Sequence, residues 1–146
     1  MMRRLLWRRD RERGSEAIEA AVGVPAFLLF IALIIAAGRI AIAHQAVESA
    51  AAEAARAASI ARTQVEANHV ANSGAIASLA NQGLRCVSRI IDVNTAGFAS
   101  PAGTPASVTA TVTCRVDLAD VAIPGLPGST TITATMTSPI DTYRER

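Results

Sequence analysis

Residues 20–38 read AAVGVPAFLLFIALIIAAG, a run of nineteen residues without a charged side chain. At about 1.5 Å per residue, a helix over this run would be about 28 Å long, close to the ~30 Å hydrocarbon core of a bilayer. The sequence therefore predicts a membrane-spanning helix here. The residues before the run are rich in arginine and those after it are polar or rich in alanine, so the run separates two regions of the chain.

The charge of the chain is distributed unevenly around this run. The net charge is +2, but the first fourteen residues contain six arginines against Asp10 and Glu12, while the rest contains eight arginines and ten acidic residues. By the positive-inside rule, the N-terminus stays in the cytoplasm and the chain from residue 39 onward is exported. A basic arm that binds nucleic acid or anionic lipid, and a twin-arginine export signal, are alternative interpretations of these arginines.

The helix is predicted to continue beyond the apolar run. From Arg39 to Glu66 the chain has no proline or glycine, and apolar residues recur at three- and four-residue spacing. These residues are Val47, Ala51, Ala54, Ala58, Ala61 and Val65. We expect one helix of roughly fifty residues, kinked at Pro25 and supported by an Arg62/Glu66 ion pair. The first strong breaker is Asn72-Ser73-Gly74, after which a short helix over 75–84 would be closed by Gly83.

After Leu84 the hydrophobic pattern changes to alternation, which is typical of β-strands with one buried face. Apolar residues alternate with polar ones, mostly threonine, over 108–118 and 130–137, and a further strand is expected over 86–93. Loops are expected at the proline- and glycine-rich stretches 97–105 and 124–128. The sequence thus predicts an α+β fold, in which one long N-terminal helix precedes a small antiparallel sheet of about three strands.

The two cysteines, Cys86 and Cys114, lie on the side that is predicted to be exported. In an oxidising compartment such a pair is most simply a disulfide. If the first two strands form a hairpin centred on Ser100, the cysteines lie directly opposite each other and within disulfide reach. That register would place Val87 and Ile91 opposite threonines, so a register shifted by two residues is an open alternative.

The sequence contains no recognisable catalytic or metal-binding motif. His44 and His69 are isolated from cysteines and carboxylates at metal-ligand spacing, and neither a nucleophile elbow nor a phosphate-binding glycine loop is present. Aromatic residues make up only 3% of the chain, so a large core with a deep pocket is not expected. We therefore expect no enzymatic activity, cofactor, metal ion, nucleic acid or small-molecule substrate.

Two glutamates, Glu16 and Glu19, stand at the start of the apolar run, where an unpaired buried charge is costly. In one interpretation both carboxylates stay at the level of the lipid headgroups, near the positive end of the helix dipole. In the other, a cation of a partner neutralises one of them, and proteolysis could supply that cation as a new N-terminal amine.

The segment Gly14-Ser15-Glu16-Ala17-Ile18-Glu19 before the apolar run resembles the processing site of type IV pilin-like proteins. In these proteins a prepilin peptidase cuts after a glycine, and a glutamate is the fifth residue after the cut. The proline-containing helix, the sequence EAARAAS at 53–59 and the threonine-rich strands extend the likeness over nearly the whole chain. The chain resembles the TadE-like family, minor pilin-like components of tight-adherence (Tad or Flp) pili.

The resemblance implies a cut between Gly14 and Ser15 by a prepilin peptidase. It also implies that Glu19 pairs with the N-terminal amine of a neighbouring subunit and thereby sets the register of assembly. The partners would be the bilayer, other pilin or pseudopilin subunits and the pilus assembly machinery, and the location would be the bacterial cell membrane. The chain departs from the major Flp pilins at Ala20, where those often carry tyrosine, and in its substantial exported domain, which favours a minor component.

These observations predict a division of the chain into four parts. They are a cytoplasmic leader (1–14), a transmembrane helix (15–43), an exported helical region (44–84) and a small β domain (85–146). One alternative is a secreted binding module whose signal sequence is cut after Ala41-Ile42-Ala43, so that the product begins at His44. Another is a small membrane-bound regulator of a different complex.

Overall fold

The computed structural model of the chain describes residues 3–118 and 128–143, with side chains from residue 18 onward. Its elements are α1 (Arg3–Ile60), α2 (Gln64–Asn81), β1 (Cys86–Asn94), one turn of 3₁₀-helix (Ala96–Ala99), β2 (Ala106–Asp117) and β3 (Ser129–Ile140). The predicted α+β class, with its long N-terminal helix and three-stranded antiparallel sheet, is confirmed. The chain divides into two units, Met1–Ala37 and Gly38–Arg146. The loop predicted at 124–128 lies outside the described residues except for Gly128.

The break between the two helices is not where the sequence pattern predicted it. Helix α1 ends at Ile60, and α2 then runs without interruption through Asn72-Ser73-Gly74. The hydroxyl of Thr63 accepts a hydrogen bond from the amide of Glu66 at 3.1 Å, while the Glu66 carboxylate accepts one from the amide of Arg62 at 3.0 Å. This is a variant of the capping box, with two free amides of the helix start satisfied by one Thr-x-x-Glu sequence.

The capping box also corrects two expectations about the residues around it. Glu66 uses its carboxylate to accept from the backbone of Arg62, rather than forming the predicted ion pair along a continuous helix. Val65, which was expected on the apolar face, is 81% exposed, because the turn at 61–63 restarts the helix with a different rotation.

The C-terminal end of α2 follows the sequence prediction. Gly83 adopts a left-handed conformation, with φ of +68°, which glycine reaches without the steric cost that a side chain adds. The amide of Gly83 donates to the carbonyl of Ala80 and the amide of Leu84 donates to that of Leu79, both at 3.0 Å. This pair of bonds is the Schellman motif, which satisfies the last free carbonyls of a helix and turns the chain toward β1.

The sheet is an antiparallel meander in the order β1-β2-β3, with β2 in the centre. The predicted alternation is confirmed along β2, where Val108, Ala110, Val112 and Cys114 are fully buried. The opposite face carries threonines in facing pairs across β2 and β3. Their hydroxyls lie 2.9–3.1 Å apart in the pairs Thr109/Thr137, Thr111/Thr135 and Thr113/Thr133. Such cross-strand pairs stabilise a solvated sheet face.

The predicted register of β1 against β2 is wrong. Cys114 lies opposite Arg89, and Cys86 lies opposite Val116, with an irregularity between Cys86 and Ser88. The register places Ile91 and Val93 opposite the buried Val112 and Ala110, so the apolar residues of both strands share one face. The hairpin centre is displaced because buried apolar residues, rather than the symmetry of the loop, determine which register is stable.

The core of the second unit is built mainly from alanines on the helices and from β-branched residues on the sheet. Buried helix positions include Val47, Ala51, Ala54, Ala58 and Ala61, as predicted, and a four-residue stripe on α2. The stripe consists of Ala67, Ala71, Ala75 and Leu79. Gly74 lies close to α1, because a Cβ placed on it would be 3.6 Å from Glu53 Cγ and 3.7 Å from Ala57 Cβ. Small side chains thus let α2 pack closely against the second half of α1.

Two further contacts fix the sheet to its surroundings. Ser138 on β3 donates to Ser59 Oγ at 3.0 Å, and Ser59, which is buried, donates in turn to the carbonyl of Arg56 at 2.8 Å. This chain of hydrogen bonds links β3 to α1. At the other contact, Gly97 packs so closely on β2 that an added Cβ would collide with the carbonyl oxygen of Ser107 and lie 3.1 Å from Ile140 Cδ1. Only glycine fits here without a shift of the backbone.

Candidate functional site

The first candidate site is the apolar part of α1. Large apolar side chains are exposed at eleven of the eighteen positions 18–35, and five consecutive ones, at positions 27–31, are among them. The exposed residues are Ile18, Val22, Val24, Phe27, Leu28, Leu29, Phe30, Ile31, Leu33, Ile34 and Ile35. Because successive helix residues point about 100° apart, this exposure extends around the whole circumference. A helix that is apolar on every side needs lipid or other helices around it.

Length and composition agree with this conclusion. Within the described part of the chain, one helix is long and apolar enough to cross a membrane, and it is this one. Pro25 lies inside it, and the helix continues through that position. Proline has no amide hydrogen, so one backbone carbonyl of the preceding turn lacks its helical donor. The kink at Pro25 stays a prediction, and so does a contact of this carbonyl with a packing partner.

The residues implied in processing and assembly lie at the start of this helix. The backbone at Gly14 and Ser15 is helical and belongs to α1, and the side chain of Glu19 is exposed. Glu19 follows Ser15 by four residues, which is about one helical turn, or 6 Å along the axis. The carboxylate is therefore available to a group on another molecule.

The second unit offers two surface clefts beside the Schellman turn, and the sequence did not predict either of them. The first cleft includes residues of α1, measures about 560 Å³ and is lined by Arg39, Ile42, Arg85, Val87 and Asp117, among others. The second, of about 600 Å³, is lined by Ile76, Leu79, Arg85, Cys86 and Arg89, among others. Arg85 belongs to both. In the first cleft, residues far apart in sequence are brought together by the packing of the turn against α1, which no local pattern indicates.

The described residues that line the two clefts form no grouping that supports catalysis. His44 and His69 are both exposed, and the described residues contain no group of three or more histidines, cysteines, aspartates or glutamates that could hold a metal ion. The hydroxyls on the sheet bond to each other across the strands and lie on an exposed face without a pocket-forming partner group. The described residues of the clefts offer arginine and apolar side chains to a ligand.

The disulfide is the covalent feature of the second unit. Cys86 and Cys114 are bonded, with their Cα atoms 5.4 Å apart, and Cys114 is fully buried. The bond ties the edge strand β1 to the centre of the sheet, next to the wall of both clefts. A disulfide of this kind is typical of proteins that fold in an oxidising compartment.

These features together define a protein with a single N-terminal helix suited to membrane anchoring, followed by a small disulfide-bonded α+β unit. The family model described as TadE-like protein matches residues 14–56. Over this segment the chain is similar to TadE-like proteins, in agreement with the resemblance inferred from its motifs. TadE-like proteins are structural rather than catalytic and are associated with Tad pili. No curated protein and no solved structure matches the chain.

The matched segment begins at Gly14, includes Glu19 and Pro25, and ends on α1 just before the turn to α2. It therefore contains the whole apolar run and most of the alanine-rich face of α1 that packs in the second unit. The arginine-rich leader, α2 and the sheet lie outside it.

Proposed function

We propose that this protein is a minor pilin-like subunit that takes part in the assembly of a Tad-type pilus. In this proposal residues 1–14 are a cytoplasmic leader, 15–43 cross the membrane, and the helical region 44–84 and the β domain 85–146 are exported. The protein waits in the membrane as a single-pass precursor and then packs its apolar helix against those of other pilin or pseudopilin subunits.

The observation that carries this proposal is the exposure of the apolar helix on every side, with Glu19 exposed at its start. In a bundle of such helices, an unpaired carboxylate would be costly, and so would an unpaired amine. If the chain is cut between Gly14 and Ser15, the new amine of one subunit and Glu19 of its neighbour neutralise each other. In any other alignment of the two helices both charges stay unpaired. The amine–Glu19 pair therefore determines how far one subunit is shifted along its neighbour.

The cut by a prepilin peptidase is tested by the N-terminal residue of the protein isolated from membranes. We expect the chain to begin at Ser15. A protein that still carries residues 1–14 would contradict both the cut by the peptidase and the pairing of Glu19 with a new N-terminal amine. A soluble product that begins at His44 would favour the secreted module instead, although such a cut falls inside α1 and would remove Ala43, a residue of the core.

The role of Glu19 in assembly is tested by complementing a strain that lacks this gene. Wild-type protein should restore piliation, whereas Glu19→Ala should not, although its level in the membrane stays the same. The control is Glu48→Ala, which removes another exposed carboxylate of α1 outside the apolar run. Normal piliation by the Glu19→Ala protein would contradict the register role.

A further inference from the structure

The two clefts share a surface that combines cationic and apolar side chains. We call it the arginine surface, and it consists of Arg39, Ile42, Arg85, Val87 and Arg89. All three arginines are exposed, and Ile42 and Val87 are each 65% exposed. An exposed apolar patch rimmed by polar residues is typical of a site that contacts a protein or a membrane.

Three elements of the second unit bring this surface together. Arg39 and Ile42 lie on α1, Arg85 follows the Schellman turn that ends α2, and Arg89 lies on β1. Gln82, in the same turn, reaches the carbonyl of Ala46 on α1 at 3.4 Å. The turn is thereby held against α1, which places Arg85 in one cleft with Arg39 and Ile42.

The charges of the surface favour an anionic ligand. Among the described residues that line the two clefts, Asp117 is the one carboxylate, and it already has an interaction within the protein. The same clefts contain the guanidinium groups of Arg39, Arg85 and Arg89, so positive charges outnumber the negative one. Guanidinium groups bind phosphate oxygens in pairs of hydrogen bonds, and they tolerate partial removal from water better than ammonium groups do.

The arginine surface begins directly after the apolar run in the sequence, and this position indicates which anion lies near it. Arg39 directly follows Gly38, the last residue of the apolar run, and Ile42 is three residues further on. Where a membrane helix ends, arginines interact with lipid phosphates while adjacent apolar side chains reach toward the acyl chains. We propose that the arginine surface binds the phosphate of anionic phospholipids, with Ile42 and Val87 against the lipid chains. This inference rests on the membrane anchoring in the proposed function.

Binding would have a consequence for assembly. Each arginine near an anionic membrane surface strengthens attachment by about fivefold in the equilibrium constant. Attachment of β1 and the turn to the bilayer would restrain the second unit before the helix leaves the membrane. Extraction into a pilus would then break these contacts, so that lipid composition would influence how readily the subunit is released.

The test uses the full chain in neutral detergent micelles, to which phosphatidylglycerol or phosphatidylcholine with the same acyl chains is added. Native mass spectrometry counts the lipids bound to each protein. We expect phosphatidylglycerol to bind at least tenfold more tightly than phosphatidylcholine. The double variant Arg39→Gln/Arg85→Gln should lose most of this preference, whereas Arg39→Lys/Arg85→Lys should keep much of it, because the charge is retained.

The matched control is Arg56→Gln/Arg62→Gln, which removes two exposed arginines of the same unit outside the arginine surface and should leave the preference unchanged. An unchanged circular dichroism spectrum and melting temperature in every variant show that the fold is intact. Equal binding of the two lipids, or equal loss in the control, would overturn the inference. Displacement of phosphatidylglycerol by millimolar inorganic phosphate would also overturn it, since that result assigns the surface to a free anion. Extraction of the chain from membranes by alkaline carbonate, measured separately, would contradict the anchoring instead.

Discussion

Cys86 and Cys114 are bonded although they are not opposite each other in the sheet: Val116 lies opposite Cys86, and Arg89 lies opposite Cys114. Along β1, the residues on the core side are Ile91 and Val93, so strict alternation would turn Cys86 to the solvated face. The irregularity at Val87 inserts one residue and rotates Cys86 back to the side of Cys114. A bulge of this kind changes the face on which a strand displays its side chains, and here it makes the disulfide geometrically possible.

The disulfide should contribute strongly to the stability of the second unit. In the chain-entropy treatment, a bridge that closes a loop of about 29 residues stabilises by about 3.6 kcal/mol. We expect Cys86→Ser/Cys114→Ser to lower the free energy of unfolding by about 2–4 kcal/mol, measured by denaturant titration of the full chain in detergent. Treatment of the wild type with reductant should reproduce the loss. Two freely alkylated thiols in protein taken from its native compartment would contradict the bond.

The close packing of Gly97 predicts a sensitive position. In Gly97→Ala the new Cβ collides with the carbonyl oxygen of Ser107, so the 3₁₀ turn or β2 must shift. We expect a loss of about 1–3 kcal/mol in the free energy of unfolding, as for other overpacked sites. Gly128→Ala is the control, because nothing lies within 4 Å of a Cβ at that position. Equal stability of the two variants would contradict this prediction, because it would show that the backbone at position 97 shifts without a cost in free energy.

The cap at Thr63 predicts a smaller and more local effect. Thr63→Ala leaves the amide of Glu66 without its side-chain acceptor, and loss of such a cap costs about 1 kcal/mol. Hydrogen exchange should accelerate in the first turn of α2 and much less near Leu79. Gln64→Ala, which removes an exposed neighbouring side chain, should leave exchange unchanged. An unaltered first turn in Thr63→Ala would mean that packing alone starts the helix.

Gly74 predicts a gain in stability. It lies inside α2, where glycine is less favourable than alanine by about 0.8–1.0 kcal/mol, and the nearest atoms to an added Cβ are at ordinary contact distances of 3.6–3.7 Å. Gly74→Ala should therefore raise the free energy of unfolding by about 0.5–1 kcal/mol, seen as a higher melting temperature. A lower melting temperature would show that α1 and α2 need the glycine for their close approach.

Elements that depend on neighbouring residues could be predicted from the sequence, whereas those that depend on distant packing could not. The alternation in β2 and β3 identified both strands, and Gly83 identified the end of α2, because each depends on a few neighbouring residues. Asn72-Ser73-Gly74 gave a false helix break, since packing of Ala71 and Ala75 against the core outweighs the weak helix propensity of those three residues. The real break had a local sign in Thr63-x-x-Glu66, which the long alanine-rich pattern concealed.

The site shows the same division. The apolar run and Glu19 could be recognised from the sequence, because their meaning depends on length and order along the chain. The arginine surface could not, since it forms only when the turn after α2 packs between α1 and β1. The register of the cysteines was missed for a related reason, because a single inserted residue at Val87 leaves no signature in the hydrophobic pattern.

The central claim, that the apolar helix packs against other subunits in a register set by Glu19, is tested most directly by site-specific photo-crosslinking. A photoreactive amino acid at position 27, where Phe27 is 63% exposed, would be introduced into the full chain in piliated cells. We predict crosslinks to pilin or pseudopilin subunits, which disappear in Glu19→Ala and persist in Glu48→Ala. Crosslinks to lipid alone in the wild type, or the same protein crosslinks with and without Glu19, would contradict the claim.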